Sequence, residues 1–554
     1  MLVVAAAVSV AGGLASAGAM RRWIDAAGGV TAEAIRRHTV VLGGDALEGR
    51  APGSRGGDLA AAYIASELQR LGVEGLGEKG SFVQQVPLVG SLPLPECRLT
   101  VSGVGENRVL ALGDDYLLHT TGAQTWLPRP TPMVFVGYGI VAPEFDYNDY
   151  ADVDVRGKAV VFLSGEPPSD DVDYFAGSEP TPYGAVETKI RIALSRGAVA
   201  SVMVPSAEAD VDWAALRRAY AFERLELAYS VPEHLGLLLN PRLAEWLFAD
   251  ALYDFSEVLA MRERQTLRAF HLPVAMSFQG EFRVRPFFAP NLVAKVRGSG
   301  GRDAEKAVVV SAHYDHLGVG PAVDGDEVYN GVVDNAIGSA GLLELTRVLA
   351  SLSDPPRRSV IVVFTTAEEE GNLGARYFLD HPPVPVSSMV ANINIDGLAF
   401  LDAFEDVVGF GAELSDLGTT LRRTADLFGL EVSRPAELAL GPEAFERSEQ
   451  AVFAEAGIPS ILVSEGLRWV GTPRTEALHR IHAWMTTRYH TPFDDLSQPL
   501  DFEAARRHTA VILALVLAVA DAPLEPEWRP GVPYAYQRLL RRAEEEAGSR
   551  PRRR

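Results

Sequence analysis

Between residues 306 and 522 the chain alternates short, continuously apolar runs with stretches of helical periodicity. AVVVSA is followed by GSAGLLELTRVLASL, SVIVVFTTA by NLGARYFLDH, then come SMVANINID and PSILVSEG, and finally FEAARRHTAVILALVLAVADA. Unbroken apolar runs of strand length that alternate with helices predict an α/β fold: a mostly parallel, mixed sheet sandwiched by helices. Ligands of such sheets bind off the carboxyl ends of the strands.

Upstream the pattern is more varied. Thr31 caps a predicted helix, LEGRAPGSRGG (47–57) reads as a loop, and LAAAYIASELQRLG (59–72) has helical spacing with Gly72 where a C-cap belongs. SFVQQVPLVG (81–90) is strand-like. After the proline-rich WLPRPTP (126–132) a β-rich block begins, with MVFVGYGI (133–140) and KAVVFLSG (158–165) as strands and TKIRIALSRGAVASVMV (188–204) as helix then strand. MSFQGEFRVRPFFAPNLVAKVRG (276–298) alternates as strands and leads back to the apolar runs. The expected division is residues 21–130 and 273–522 as one α/β domain, 131–272 as an insert, and 523–554 as a charged tail whose end, RRAEEEAGSRPRRR (541–554), is frayed.

Length and composition narrow the function classes. A chain of 554 residues, 47% of them hydrophobic, exceeds one ordinary core. With 51 basic against 73 acidic residues its formal charge is −22, which argues against nucleic acid or an anionic membrane as a main partner. The opening MLVVAAAVSVAGGLASAGAM is apolar, rich in small residues and ends in ASA and AGA, so residues 1–20 read as a signal peptide, with an uncleaved anchor as the alternative. The expected location is exported, periplasmic or secreted. Cys97 is the single cysteine, so no intramolecular disulfide forms.

Chemistry-bearing residues gather at the strand ends. KAVVVSA delivers His313 and Asp315; SVIVVFTTA delivers Glu368 and Glu369; SMVANINI delivers Asp396; YNGVVDNAIGSAG sets Asp334 before a helix; RYHTPFDD supplies His490. Each has an ordinary explanation alone: an N-cap for Asp334, a helix start for the acids at 368–370, a turn for Asp396. Together they crowd like charges at one edge of a buried sheet, which is expensive without a counter-ion. Divalent cations resolve the crowding, and mixed imidazole and carboxylate donors suit zinc, with manganese or cobalt as substitutes.

HYDHLGVG, GDEVYNGVVDNAIG, TTAEEEGNLGA, NINIDG and RYHTPFDD, in that order, resemble the co-catalytic dizinc exopeptidase family that includes bacterial secreted leucyl-type aminopeptidases and glutamate carboxypeptidase II-like proteins. LEGRAPGSRGGDLAAAYIASELQRLGVE is similar to that family's opening segment, and the 131–272 block to its inserted protease-associated domain. The resemblance implies two Zn2+ ions, with Asp334 shared, His313 and Asp396 completing one site, and Glu369 and His490 the other. It implies Glu368 as general base, and peptides with a free N-terminus as substrate.

Around that set, Asp315 is expected to fix the tautomer of His313, Asp494 to orient His490 or turn the loop, and Tyr489 to stabilise an oxyanion or pack under the loop. His316 is assigned to structure. Glu449 and Gln450 stand where similar family members often read Asp-His, and Ile337 where a serine is usual; both departures bear on pocket shape. A carboxypeptidase acting on acidic dipeptides is the alternative function, with Arg447, Arg468, Arg474 and Arg488 as candidate carboxylate holders. A mono-zinc glutaminyl cyclase and a non-catalytic receptor-like protein are the others, and oligomeric state is open.

Overall fold

Val308, Val309 and Val310 are all buried but face opposite ways, Val308 and Val310 into one core and Val309 into another. The strand Ala307–His313 therefore lies inside a sheet covered on both faces, as its uninterrupted apolar run predicts. In the computed structural model the described residues are 17–549, except 104–106, 121–125, 172, 178–180, 206–211, 231–234 and 436–441.

Nine strands follow one another across the main sheet: Arg224–Leu227, Val83–Pro93, Phe282–Val296, Ser359–Thr365, Ala307–His313, Met389–Asn394, Ser460–Glu465, Asp406–Phe410 and Glu431–Ser433. The short Glu74–Gly75 also pairs with Phe282–Val296. The four central strands from Ser359–Thr365 to Ser460–Glu465 run parallel. The first three in the order are antiparallel, as is the junction of Ser460–Glu465 with Asp406–Phe410.

Helices Ile337–Ser351, Phe502–Asp521 and Ala32–Leu42 contribute to the core on one face, and Leu373–Asp380 and Glu449–Glu455 to that on the other. Phe502–Asp521 is buried along nearly its whole length, and Asp501 caps it by accepting from the Glu503 and Ala504 N–H groups.

The helix foreseen at 59–72 begins earlier, spanning Arg55–Leu71, and ends on Gly72 in the left-handed conformation. Ser54 caps it, so the loop ends at residue 54 rather than 57. Its first turn carries two glycines because the chain folds back against it. A Cβ on Gly56 would lie 1.8 Å from the Leu47 carbonyl oxygen, and one on Gly57 2.4 Å from that of Ala51.

A second sheet has the order Arg108–Leu110, Arg98–Ser102, Phe270–Gln279, Trp126–Phe135, Ala159–Leu163, Ala200–Val204, Leu235–Leu239, Tyr116–Thr120 and encloses its own core. It draws on residues 98–279, so the boundaries expected at 131 and 272 shift outward. Within that span, Arg224–Leu227 crosses over to the main sheet. The proline-rich 126–132 segment, after which the β-rich block was expected to begin, is itself most of a strand. Its prolines at 128, 130 and 132 recur at every second position, so the donors they lack lie on one edge. The other edge pairs with Phe270–Gln279, and pairing to Ala159–Leu163 is confined to Met133–Phe135, beyond the prolines.

Most of the expected signal segment, residues 1–16, lies outside the described residues. Ala17–Ala27 is a helix whose Trp23, Ala26 and Ala27 join the main core, with the Trp23 indole N–H on Asp521 at 2.9 Å. Among the described residues no helix is long and apolar enough to cross a membrane. The helix Tyr534–Ser549 packs Tyr534 and Ala535 against Trp528 and Phe445 and takes in residues 541–549 of the segment expected to fray, whose last residues, 550–554, lie outside the described ones.

Candidate metal centre

Three central strands end level with one another. His313 closes its strand opposite Thr365, and Glu368 and Glu369 follow Thr365 after a turn in which Ala367 is left-handed. Asn394 pairs with Ser311, and Asp396 stands two residues further on. Asp334 precedes the helix Ile337–Ser351, and His490 sits, left-handed, in the loop after the helix Arg474–Thr487.

These residues converge as two sets that share one member. His313 Nε2 lies 3.3 Å from Asp334 Oδ1 and 3.3 Å from Asp396 Oδ1. His490 Nε2 lies 3.1 Å from Asp334 Oδ2 and 3.0 Å from Glu369 Oε2. Asp334 thus divides its two oxygens between the sets. Donors about 2.0–2.1 Å from a tetrahedral zinc ion stand roughly 3.3 Å from one another, so the His313 set has that spacing and the His490 set is slightly tighter. The donor chemistry and spacing fit zinc. His313 is buried, whereas the side chains of Asp396 and His490 are 27% and 33% exposed, so the centre opens to solvent on their side.

The electrostatics favour positive charge here. Burial opposes charging His313, but Glu368 and hydrogen bonds to Asp334 and Asp396 hold its imidazole well above the usual range. His490 is raised likewise, against its burial, by Glu369 and Asp334. Asp334 is lowered despite burial by its bonds to the two histidines, and Glu369 falls to about 2 against burial and the Asp334 charge, through His490 and His316. Burial, with Asp396 and Glu369 adding to it, pushes Glu368 well above the carboxylate range in spite of His313.

The surrounding residues differ in part from expectation. Asp315 meets His313 Nδ1 through its backbone carbonyl, at 3.3 Å, and not through its carboxylate, which is 3.8 Å away and outside hydrogen-bond reach. Its carboxylate accepts from the Glu368 backbone N–H at 3.1 Å and so holds the turn that carries Glu368. Asp494 accepts from the Val333 and Asp334 N–H groups and from Gln498, fixing the Asp334 loop, while its own N–H donates to the Thr491 carbonyl and turns the His490 loop, the second of the two roles expected of it. His316, assigned to structure from the sequence, places Nδ1 2.5 Å from Glu369 Oε1 and can hold that carboxylate with Oε2 turned to His490. The doublet of histidines three apart around Asp315 is the signal that could have found it. Glu449 and Gln450 do not line a pocket; both are fully buried beneath the strand ends, where Glu449 accepts from the Thr365 hydroxyl and Gln450 from the Asn394 amide.

Asn335, which sequence reasoning passed over, ties two donor loops together. Its amide donates to Ile395 O and its oxygen accepts from Gly397 N–H. The Tyr489 ring stacks on His490 at 3.9 Å between centroids and is partly exposed.

Residues 291–516, the segment holding every one of these donors, match the profile described as Peptidase family M28. A probable zinc metalloprotease of Pyrenophora teres f. teres (strain 0-1) is 26% identical over 242 residues, 44% of this chain and 50% of that protein. Leupeptin-inactivating enzyme 1 of Streptomyces exfoliatus is 24% identical over 234 residues, 41% and 48% of the two chains. The match thus spans about half the length of these curated relatives. The solved aminopeptidase from Aneurinibacillus sp. strain AM-1 has a TM-score of 0.54 over 91% of this chain and 96% of its own, at 16% identity, a likeness of fold. With the zinc-spaced groups of His313, Asp334, Glu369, Asp396 and His490 all inside the matched segment, residues 291–516 are a peptidase family M28 segment.

Proposed function

We propose that the protein is a zinc-dependent aminopeptidase that removes N-terminal residues from peptides. The observation that carries this reading is the division of Asp334 between the two donor sets, the arrangement of a two-metal hydrolase. His313, Asp334 and Asp396 would hold one Zn2+, and His490, Asp334 and Glu369 the other. Bound there, zinc supplies a lowered pKa for water and a polarised scissile carbonyl.

The chain's own groups do the remainder. Glu368 follows the strand Ser359–Thr365, where burial raises its pKa above the carboxylate range and so makes its ionised form a stronger proton acceptor, and its backbone N–H is anchored on Asp315. It accepts a proton from the attacking water and passes it to the departing amine. The partly exposed Asp396 and His490 mark the side from which substrate approaches, and the Tyr489 hydroxyl, carried by a ring stacked on His490, is the candidate donor to the tetrahedral oxyanion.

A carboxypeptidase needs a free basic cluster for the terminal carboxylate, and three of the four arginines considered for it, Arg468, Arg474 and Arg488, are engaged. Arg468 pairs with Glu431, and Arg488 donates to the Phe493 carbonyl. The aminopeptidase activity named for the Aneurinibacillus protein of like fold favours the amino end. A peptide library digested by zinc-loaded protein and read by mass spectrometry tests this. Ladders shortened from the amino end are expected; shortening from the carboxyl end, cyclisation of N-terminal glutamine, or an untouched library would contradict it. Export remains part of the proposal, on the apolar, small-residue segment at 1–20.

A further inference from the structure

Arg50 lies outside the segment that matches the peptidase family, yet its side chain reaches the loops that carry the donors. Only 1% of it is exposed. Its guanidinium has five N–H donors in a rigid fork, and four bonds go to backbone carbonyls: Nε to Tyr314 at 2.6 Å, Nη1 to Leu42 at 2.7 Å and to Asn330 at 2.5 Å, and Nη2 to Gly331 at 2.8 Å. Tyr314 stands between His313 and Asp315. Asn330 and Gly331 lead directly into Asp334. Leu42 ends the helix Ala32–Leu42, whose terminal carbonyls favour a cation.

The approach is built into the backbone. Gly49 and Arg50 are both left-handed, with φ of 65° and 56°. A Cβ on Gly49 would come within 2.2 Å of the Tyr329 carbonyl oxygen, so the turn presses against the Asp334 loop as closely as a glycine permits. A non-glycine residue at Arg50 holds that conformation because its surroundings fix it. The charge of Arg50 also stands in the field of Asp315, Asp494, Asp334 and Glu369.

Resting on the zinc reading above, we propose that Arg50 is a positioning residue for the metal centre: it bridges the His313 and Asp334 loops and sets the spacing of the donors they carry. A general packing role predicts a lower Tm with unchanged zinc affinity of the folded protein; a bridging role predicts weaker zinc binding in a protein that remains folded. Arg50→Gly separates them, since glycine accepts the left-handed backbone and leaves a cavity shaped for a guanidinium ion. Arg50→Lys keeps the charge but has one nitrogen and cannot reach all four carbonyls.

Zinc dissociation constants by chelator competition, with circular dichroism reporting the fold, are expected to rise about 10- to 100-fold in both variants, as for other changes behind metal ligands. Millimolar guanidinium chloride should recover binding in Arg50→Gly, and sodium chloride at equal ionic strength should not. Wild-type affinity in folded Arg50→Gly, or a loss that both salts change equally, overturns the inference. If Arg50→Gly does not fold, Arg50→Lys decides: folded with weakened zinc binding supports bridging, folded with wild-type affinity overturns it, and failure of this variant to fold as well overturns it in favour of general packing. Wild-type protein that binds no zinc would overturn the zinc reading as well, which keeps the two failures apart.

Discussion

Glu368→Gln is expected to retain the zinc content of the wild type and to lose about 100- to 10,000-fold in turnover, the range of a general base. The two effects separate because Glu368 stands beside the donor set and not in it. The closest carboxylate contacts of the two histidines are to Asp334, Asp396 and Glu369. The amide keeps the shape and volume of the carboxyl, and the turn is held by its backbone bond to Asp315, which the substitution leaves alone. What is lost is the ability to take a proton from water and return it to the amine. KM should change little, since a proton acceptor is needed only as the transition state forms. Metal content and peptide hydrolysis measured on the same preparation check this, and an active, zinc-replete variant would remove Glu368 from the role.

Asp334→Ala should have the larger consequence, the loss of both metal sites at once. Asp334 is the shared member, with Oδ1 on the His313 side and Oδ2 on the His490 side. Without it each set is left with one imidazole and one carboxylate, below the three protein ligands of catalytic zinc sites. The loss of affinity should exceed the roughly 10- to 100-fold typical of residues behind the ligands, and turnover should fall below detection. The fold should survive, because the loop is held through backbone N–H groups that donate to Asp494 and through Asn335 bridging to Ile395 and Gly397. Zinc binding by chelator competition alongside thermal unfolding distinguishes a lost site from a lost fold. A variant that still binds two zinc ions would show that the two sets are not bridged.

The main sheet and the convergence of His313, Glu369 and Asp396 at its strand ends were legible in the sequence for related reasons, whereas Asp334 and His490 were picked out by the motifs that carry the family resemblance. Central parallel strands are buried on both faces and so are written as unbroken apolar runs, and where such a run stops at His313 or just short of Glu368 and Asp396 the interruption is itself the signal. The second sheet was harder to delimit. Its strands at 98–120 lie before a proline-rich segment that composition alone marks as a boundary, and only pairing with Phe270–Gln279 shows that those prolines share one strand edge. Contacts between side chain and backbone were illegible. Asp315 and Asp494 were correctly placed near the centre, but which N–H groups they accept from depends on loop paths that no spacing encodes. Arg50 lay hidden for the same reason, since its partners are carbonyls, which every residue has. Glu449 and Gln450 were taken to bear on pocket shape because they depart from the resembled family's motif, whereas they belong to a buried hydrogen-bond network under the strand ends.

Anomalous diffraction at the zinc edge, on crystals of the full chain grown with zinc, tests the shared centre most directly. Two peaks about 3.5–4 Å apart are expected, one coordinated by His313 and Asp396, the other by Glu369 and His490, with one oxygen of Asp334 on each. A single peak, peaks elsewhere, or an Asp334 bound to only one ion would contradict it.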